Sequence, residues 1–451
     1  MSKIDTLRRY GLFDARVPRY TSYPPANHFT EGAGQRHQQE WLQSVPDGTD
    51  VSLYIHIPFC KKLCWFCACR TQTAQSMPPV DAYVAVLRRE ILAVRARLPA
   101  GIRMSQLHIG GGTPTILPAD TMAALLQEVL TAFTPAPGFE FAVEIDPTDA
   151  PTPLLQTLLD FGLTRASIGV QDFAPQVQDA IGRHQSLDQT RDVIGYLRAG
   201  GLRSLDLDVL YGLPHQTVDS FLQTLDHVLA LAPDRLAIYG YAHVPWMSKR
   251  QVMINEADLP DSMARLDLSA HADDLFTAAG YLPVGIDHFA LPTDSLADAA
   301  RAGRLHRNFQ GYTDDSCDVL LGLGASSISR FPQGYAQNAS GTADYQRAVR
   351  GGDLATGRGH VFKDQDRLRA RMIEALMCDF RVDTAELVRD FTVTAANLDA
   401  LYTQAVNAFP GMVRTDANGL EILPEGKPLT RMIVRLFDAY DMHAAGHSSA
   451  I

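Results

Sequence analysis

From residue 51 to about 280, short apolar runs alternate with longer stretches of helical periodicity. The apolar runs cover 51–57, 106–109, 140–145, 166–170, 204–210 and 235–239. Each is too short for a helix, rich in β-formers and bounded by polar or turn residues, which predicts buried strands. The stretches 80–97, 119–133, 153–161, 187–199, 218–231 and 262–279 carry the apolar spacing of helices that bury one face. Strand and helix alternate six times. That rhythm predicts an α/β fold: a parallel sheet with right-handed crossovers, open as a partial (β/α)6 barrel. Chemistry in such folds collects at the C-terminal ends of the strands.

Three regions fall outside the rhythm. Residues 1–50 read as an N-terminal arm. Its string Pro18-Arg19-Tyr20-Thr21-Ser22-Tyr23-Pro24-Pro25 predicts extended, packed chain rather than helix. It suits either an ordinary strap over the core or a lid over a site, with Arg19 placed to pair a carboxylate. Residues 281–359 are rich in Gly, His, Asn and Gln, which suits a site-lining extension better than a core. Residues 360–451 read as a small, mostly helical domain. Helices are expected at 367–379, 384–390, 397–408 and 428–440, with a hairpin turn at Asp416-Ala417-Asn418-Gly419. The pattern is winged-helix-like, and a cover over the barrel mouth is expected.

Four of the six cysteines fall between Cys60 and Cys69, just past the first strand. Cys60, Cys64 and Cys67 have the spacing C-x3-C-x2-C. Three thiolates on one loop can hold three irons of a cubane and leave the fourth open to a ligand. Structural zinc would ask for a second Cys or His pair after a longer loop, and none is evident. Disulfides do not suit so dense a cluster in a chain without a secretory signal.

The net charge of −11, with no long basic run, argues against nucleic acid as a partner. No apolar run reaches the length of a membrane span. A cytoplasmic monomer is expected.

The string Tyr54-Ile55-His56-Ile57-Pro58-Phe59-Cys60, continued through Cys64, Phe66, Cys67 and Cys69, resembles the radical S-adenosylmethionine (SAM) superfamily. Within it, the chain is similar to the oxygen-independent coproporphyrinogen III oxidase family. The likeness runs from about Pro18 into the C-terminal region and includes His306-Arg307-Asn308-Phe309-Gln310-Gly311-Tyr312. It implies oxidative decarboxylation of two propionates of coproporphyrinogen III to vinyl groups. It also implies a [4Fe–4S] cluster on Cys60, Cys64 and Cys67, two SAM molecules, a low-potential donor such as flavodoxin or ferredoxin, and an unidentified electron acceptor.

The same resemblance distributes roles along the strand ends. Tyr54, Gly111, Gly112, Thr113, Glu144 and Ile328 would contact the first SAM. Phe66, Gln171, Arg183, Asp208 and Ala242 would contact the second. Tyr54, Cys69, Glu144, Phe309 and Gln310 would serve catalysis. Elementary chemistry leaves plainer readings beside these. The glycines suit a tight turn, Glu144 a helix cap, Asp208 a bond to a backbone amide, and Arg183 a surface position. Ala68 and Trp65 depart from the family pattern, where Gly and Tyr are common. A haem-binding chaperone on the same scaffold, or a radical SAM methyltransferase or haem-degrading enzyme, are the alternatives. Cys69 and the 306–312 string argue against the chaperone.

Overall fold

The computed structural model describes residues 3–363, 365–440 and 450. Its centre is the expected series of strands: β1 (Asp50–Ile57), β2 (Arg103–Gly111), β3 (Thr134–Ile145), β4 (Arg165–Gln171), β5 (Ser204–Tyr211) and β6 (Arg235–Gly240). Each pairs in parallel with the next. Six helices follow them in turn: α1 (Pro78–Arg95), α2 (Ala119–Ala132), α3 (Thr152–Asp160), α4 (Leu187–Ala199), α5 (Val218–Ala230) and α6 (Ser262–Ala278). The helices start where chain chemistry favours it. Prolines open α1 and α3, and capping boxes at Ser186/Gln189 and Thr217/Ser220 open α4 and α5.

The segment after the barrel corrects an expectation. Much of 281–359 is not loop but sheet. β7 (Leu282–Val284) and β8 (His288–Ala290) extend the β6 edge. On the other edge β9 (Leu320–Leu323) lies parallel to β1, with Tyr54 opposite Gly322. β10 (Ile328–Phe331), β11 (Gly334–Asn338) and β12 (Thr356–Val361) continue it as antiparallel hairpins. The result is one twelve-stranded sheet. Glycine here serves close strand approach: a Cβ on Gly322 would meet the backbone of Ile328. Glu90 of α1 ties this edge down. Buried, it accepts from Gly324 N–H at 2.7 Å, Asn338 Nδ2 at 2.6 Å and Tyr345 Oη at 2.7 Å.

The C-terminal part has its own core. Helices Asp366–Cys378, Thr384–Asp390 and Ala395–Ala408 match expectation. The hairpin Val413–Asp416/Gly419–Ile422 gains a third strand, Arg381–Asp383. The single helix expected over 428–440 is corrected. The chain there is a 3-10 turn Pro424–Leu429, a short α-helix Thr430–Val434 and another 3-10 turn, Arg435–Phe437. The arm completes this core: Leu7, Leu12, Tyr20 and Tyr23 pack among Leu376, Leu429, Ile433 and Phe437. Farther along the arm, Trp41, Leu42 and Val45 belong to the barrel core instead. Among the described residues no helix is long and apolar enough to cross a membrane.

Candidate active site

β1 ends at Ile57, and Phe59–Cys60 then pairs in parallel with Gln72–Thr73. This short ladder closes the neck of the loop that carries the cysteines. The loop is held from two sides. Trp65 N–H donates to Ile181 O at 2.9 Å, and its ring packs on Gly182, whose φ of +66° ends the helix Pro175–Ile181. From the segment after β6, Ser248 Oγ donates to Cys67 O at 2.9 Å and Gln251 Nε2 to Phe66 O at 2.6 Å. Arg250 bonds Thr71 through its Oγ1 and its carbonyl.

All six cysteines are free thiols. Burial pushes Cys60 up to about 11 and raises Cys64 as well. Cys67 is instead brought down to about 6, chiefly by its hydrogen bond from the Cys69 thiol, and that bond and the Cys67 charge raise Cys69. Arg183 Nη1 stands 3.6 Å from Cys64 Sγ, a cation beside a prospective thiolate. Among the described residues no three ligating side chains converge on a point fit for a single ion. A cubane takes its thiolates on separate irons, so three thiols spread round a loop suit it in donor type.

Next to the loop, Tyr54 and Glu144 both face His108, whose ring centroid stands 5.7 Å from that of Tyr54; the charge of Glu144 also raises Tyr54 and Cys69. Tyr54 Oη lies 3.0 Å from His56 Nδ1, and His56 Nε2 lies 3.1 Å from Arg70 O. Glu144 accepts from Gly111 N–H at 2.9 Å and meets His108 Nε2 at 3.2 Å. Burial pushes Glu144 up, but His108 and the Gly111 amide outweigh it and hold the carboxyl below its usual value. Gly112 and Thr113 donate to Ile57 O and Phe59 O at 2.8 Å each. A Cβ on Gly112 would stand 2.6 Å from Phe59 O, so the glycine run sets backbone against backbone at the cradle floor. Ile328 joins this side through Gly322, the β1 neighbour of Tyr54.

A second group gathers over β4 and β5. Arg183 pairs with Asp146 at 3.1 Å, and its Nη2 donates to Gly169 O at 2.8 Å and Gln185 Oε1 at 2.9 Å. Its Nε is buried with no hydrogen-bond partner among the described residues. The surface reading of Arg183 is thus corrected, since only 13 % of its side chain is exposed. Gln171, at φ +66°, brings its amide beside Gly169 and Arg183. Asp208 accepts from Ser167 Oγ at 3.3 Å rather than from a backbone amide. Burial, then the charges of Asp206 and Glu144, raise it well above the usual carboxylate range. Ala242 O accepts from the same Gln251 amide that holds Phe66, and Phe66 packs beside Val177, Ile181 and Tyr241.

Phe309 and Gln310 lie at the turn of a hairpin in the segment after the barrel. The strands His306–Asn308 and Gly311–Thr313 form a hairpin, and Gln310 N–H donates to Asn308 Oδ1 at its turn. Phe309 packs edge-on to Tyr335 and lines a small cleft with Thr21, His306, Arg307 and Arg330. Among the described residues no hydrogen bond or ring contact joins Phe309 or Gln310 to Tyr54, Cys69 or Glu144. His306 and Tyr312 anchor the hairpin on helix Asp366–Cys378, through Glu374 at 3.2 Å and Met377 O at 2.7 Å. Sequence reasoning missed His108 and Asp146. The one signal for His108 was its place two residues before Gly110, on the same face of β2.

The radical SAM superfamily model matches residues 54–228. An oxygen-independent coproporphyrinogen III oxidase of Paracoccus denitrificans is 54% identical over 451 residues, all of both chains. One of Escherichia coli is 39% identical over 427 residues, 94% of this chain and 93% of the relative. The solved structure of the Escherichia coli coproporphyrinogen III oxidase, described as a radical SAM enzyme, superposes with a TM-score of 0.89 at 36% identity. It covers 95% of this chain and 100% of that one.

Proposed function

The chain belongs to the oxygen-independent coproporphyrinogen III oxidase family of radical SAM enzymes, and from that premise we propose how its residues divide the work. The reaction is the oxidative decarboxylation of two propionates of coproporphyrinogen III to vinyl groups, giving protoporphyrinogen IX for haem biosynthesis. In each round a propionate loses one β-hydrogen atom, CO2 and one electron, the last to an acceptor. Bound together, a [4Fe–4S] cluster and SAM supply the 5′-deoxyadenosyl radical that takes the hydrogen.

Cys60, Cys64 and Cys67 would hold the cluster. Tyr54, Gly111, Gly112, Thr113, Glu144 and Ile328 would seat the first SAM beside it, Glu144 as acceptor for the amino group. Glu144 suits that task because it stays ionised below its ordinary range. Phe66, Gln171, Arg183, Asp208 and Ala242 would seat a second SAM. The unpartnered Nε of Arg183 supports a carboxylate there, and the half-buried, weakly bonded Asp208 supports a pair of ribose hydroxyls. Cys69 would act at the loop, and Phe309 with Gln310 on the substrate side. A low-potential protein such as flavodoxin or ferredoxin would reduce the cluster.

The observation that carries this reading is the meeting of Tyr54 and Glu144 at His108, on neighbouring strands beside the three-cysteine loop past β1. The test is anaerobic incubation of reconstituted protein with coproporphyrinogen III, SAM and a reductant, followed by porphyrin analysis. Protoporphyrinogen IX with methionine and 5′-deoxyadenosine is the expected result; SAM cleavage without vinyl product would sink it.

A further inference from the structure

Seven large apolar side chains stand exposed among the described residues, and four of them fall within eight positions: Trp246, Met247, Val252 and Met253. Each of the four is more than half exposed, whereas Leu92, Val361 and Val388 are scattered singly. Scattered apolar residues are ordinary on a surface; a cluster is not. The segment that carries the four follows β6 and includes a 3-10 turn, Lys249–Met253. It is built inside out. The polar Gln251 is buried, accepting from Val244 N–H and donating to Ala242 O and Phe66 O. Its neighbours Val252 and Met253 face solvent. The exposed side chains therefore ride on a backbone pinned to the cysteine loop, where Ser248 also holds Cys67 O at 2.9 Å.

The patch has a basic edge in an acidic chain. Residues 240–255 hold Lys249 and Arg250 and no acid. Arg250 bonds Thr71, a neutral partner. Arg16 of the arm places its guanidinium 5.2 Å from the Trp246 ring centroid. The cysteine loop that the segment grips, residues 58–80, adds Lys61, Lys62 and Arg70 and no acid. Two acids from outside these stretches pair with them, Asp149 with Lys61 and Glu256 with His243. Charges at a surface are screened over about 10 Å at 0.1 M salt. The local cations, and not the net charge of −11, therefore decide what approaches here.

We propose that Trp246, Met247, Val252 and Met253, with Arg16, Lys249 and Arg250 at their edge, dock the acidic one-electron carrier protein that reduces the cluster. The inference rests on the radical SAM reading above and adds the surface where the donor sits. An apolar centre with a charged rim is the anatomy of a transient protein interface. Its place fits the task. The segment bonds directly to Phe66 and Cys67, so a carrier resting on it stands beside the loop that holds the cluster. The carrier gives up one electron and the cluster takes up one, with no atom transferred. A membrane surface suits the patch less. Interfacial binding uses the apolar face of an amphipathic helix, and the support here is a single 3-10 turn.

The test uses the reconstituted full chain and two purified probes, an FMN-bearing flavodoxin and an acidic ferredoxin. At least one is expected to bind the parent, with an affinity that falls as salt rises. Met247→Asp and Val252→Asp should each weaken that binding about tenfold. Lys249→Glu should weaken it and flatten its salt dependence. Cluster reduction by the bound carrier, followed by absorbance, should slow in step. Iron content, SAM affinity and reduction by dithionite should stay parental. Val388→Asp, at an exposed apolar residue of helix Thr384–Asp390, should bind the carrier as the parent does. Three results overturn the surface and leave the proposed reaction standing: no binding of either probe by the parent, parental affinity in all three patch variants, or an equal loss in Val388→Asp. Binding of the parent to anionic vesicles, lost in the variants while carrier affinity holds, overturns it in favour of a membrane. A parental protein that cleaves SAM with dithionite and makes no protoporphyrinogen fails the proposed reaction instead.

Discussion

A Cβ built on Gly110 would lie 2.6 Å from Cδ of Glu144. The tip of β2 is therefore shaped around the carboxylate at the tip of β3, and Gly111 beside it supplies an N–H to that carboxylate. Gly110→Ala is expected to displace Glu144 at a cost of about 1–3 kcal/mol in stability. SAM affinity should fall about tenfold or more, as for loss of one charge-assisted hydrogen bond, while iron content holds. Equilibrium SAM binding beside a thermal melt checks this, and parental SAM affinity would remove Glu144 from the site.

The three-cysteine assignment is tested by iron content. After anaerobic reconstitution the parent should carry about four irons per chain. Cys60→Ala, Cys64→Ala and Cys67→Ala should each lose the cluster's absorbance. Cys69→Ala should keep it, because Cys69 reaches the loop as a hydrogen-bond donor to Cys67. Iron loss in Cys69→Ala as complete as in Cys67→Ala would contradict the ligand set.

Asp208 tests the proposed second SAM site. Asp208→Ala should lower the SAM stoichiometry by one per chain and leave the SAM beside the cluster in place. Ser167 is its one hydrogen-bond partner among the described residues, so little of the fold should depend on it. A parental stoichiometry of one would refute the second site.

Glu90 sets a pH dependence of stability remote from the chemistry. Burial raises its carboxyl to about 7 in the folded chain, against an ordinary value of 4.5. Between those values the folded state binds more protons than the unfolded one, so stability falls as pH rises. The full difference is about 3 kcal/mol, present below pH 4.5 and lost above pH 7. Melting temperature from pH 5 to pH 8 should show the fall in the parent and a flatter profile in Glu90→Gln. Identical slopes in both proteins would assign the pH dependence to other groups.

The barrel was legible because each parallel strand carries a short set of buried apolar residues, continuous in β1 and β4 and alternating with polar residues in β5, between stretches of helical periodicity. β4 and β5 were found this way to within a residue or two. The cysteine loop was legible because its spacing is local. β9 to β12 were not, since glycine, serine and asparagine there disguise strands that need small residues to approach one another. The partnerships of Glu144 with His108 and of Arg183 with Asp146 depend on register between strands and on the fold of loops. No pattern within one strand reports them. The expected helix over 428–440 failed because Pro428 and the residues around it turn more tightly than an α-helix.

The packing of Leu7, Leu12, Tyr20 and Tyr23 against Leu429, Ile433 and Phe437 bears on how the chain is made. At about 5–20 residues per second, Leu7, Leu12, Tyr20 and Tyr23 wait on the order of tens of seconds for their partners to leave the ribosome. The barrel core needs none of those last residues and can close while synthesis continues. The small domain cannot, because its interior is shared between residues 7–23 and residues 368–437. The nascent protein therefore carries an unsealed apolar arm until residues 429–437 have emerged.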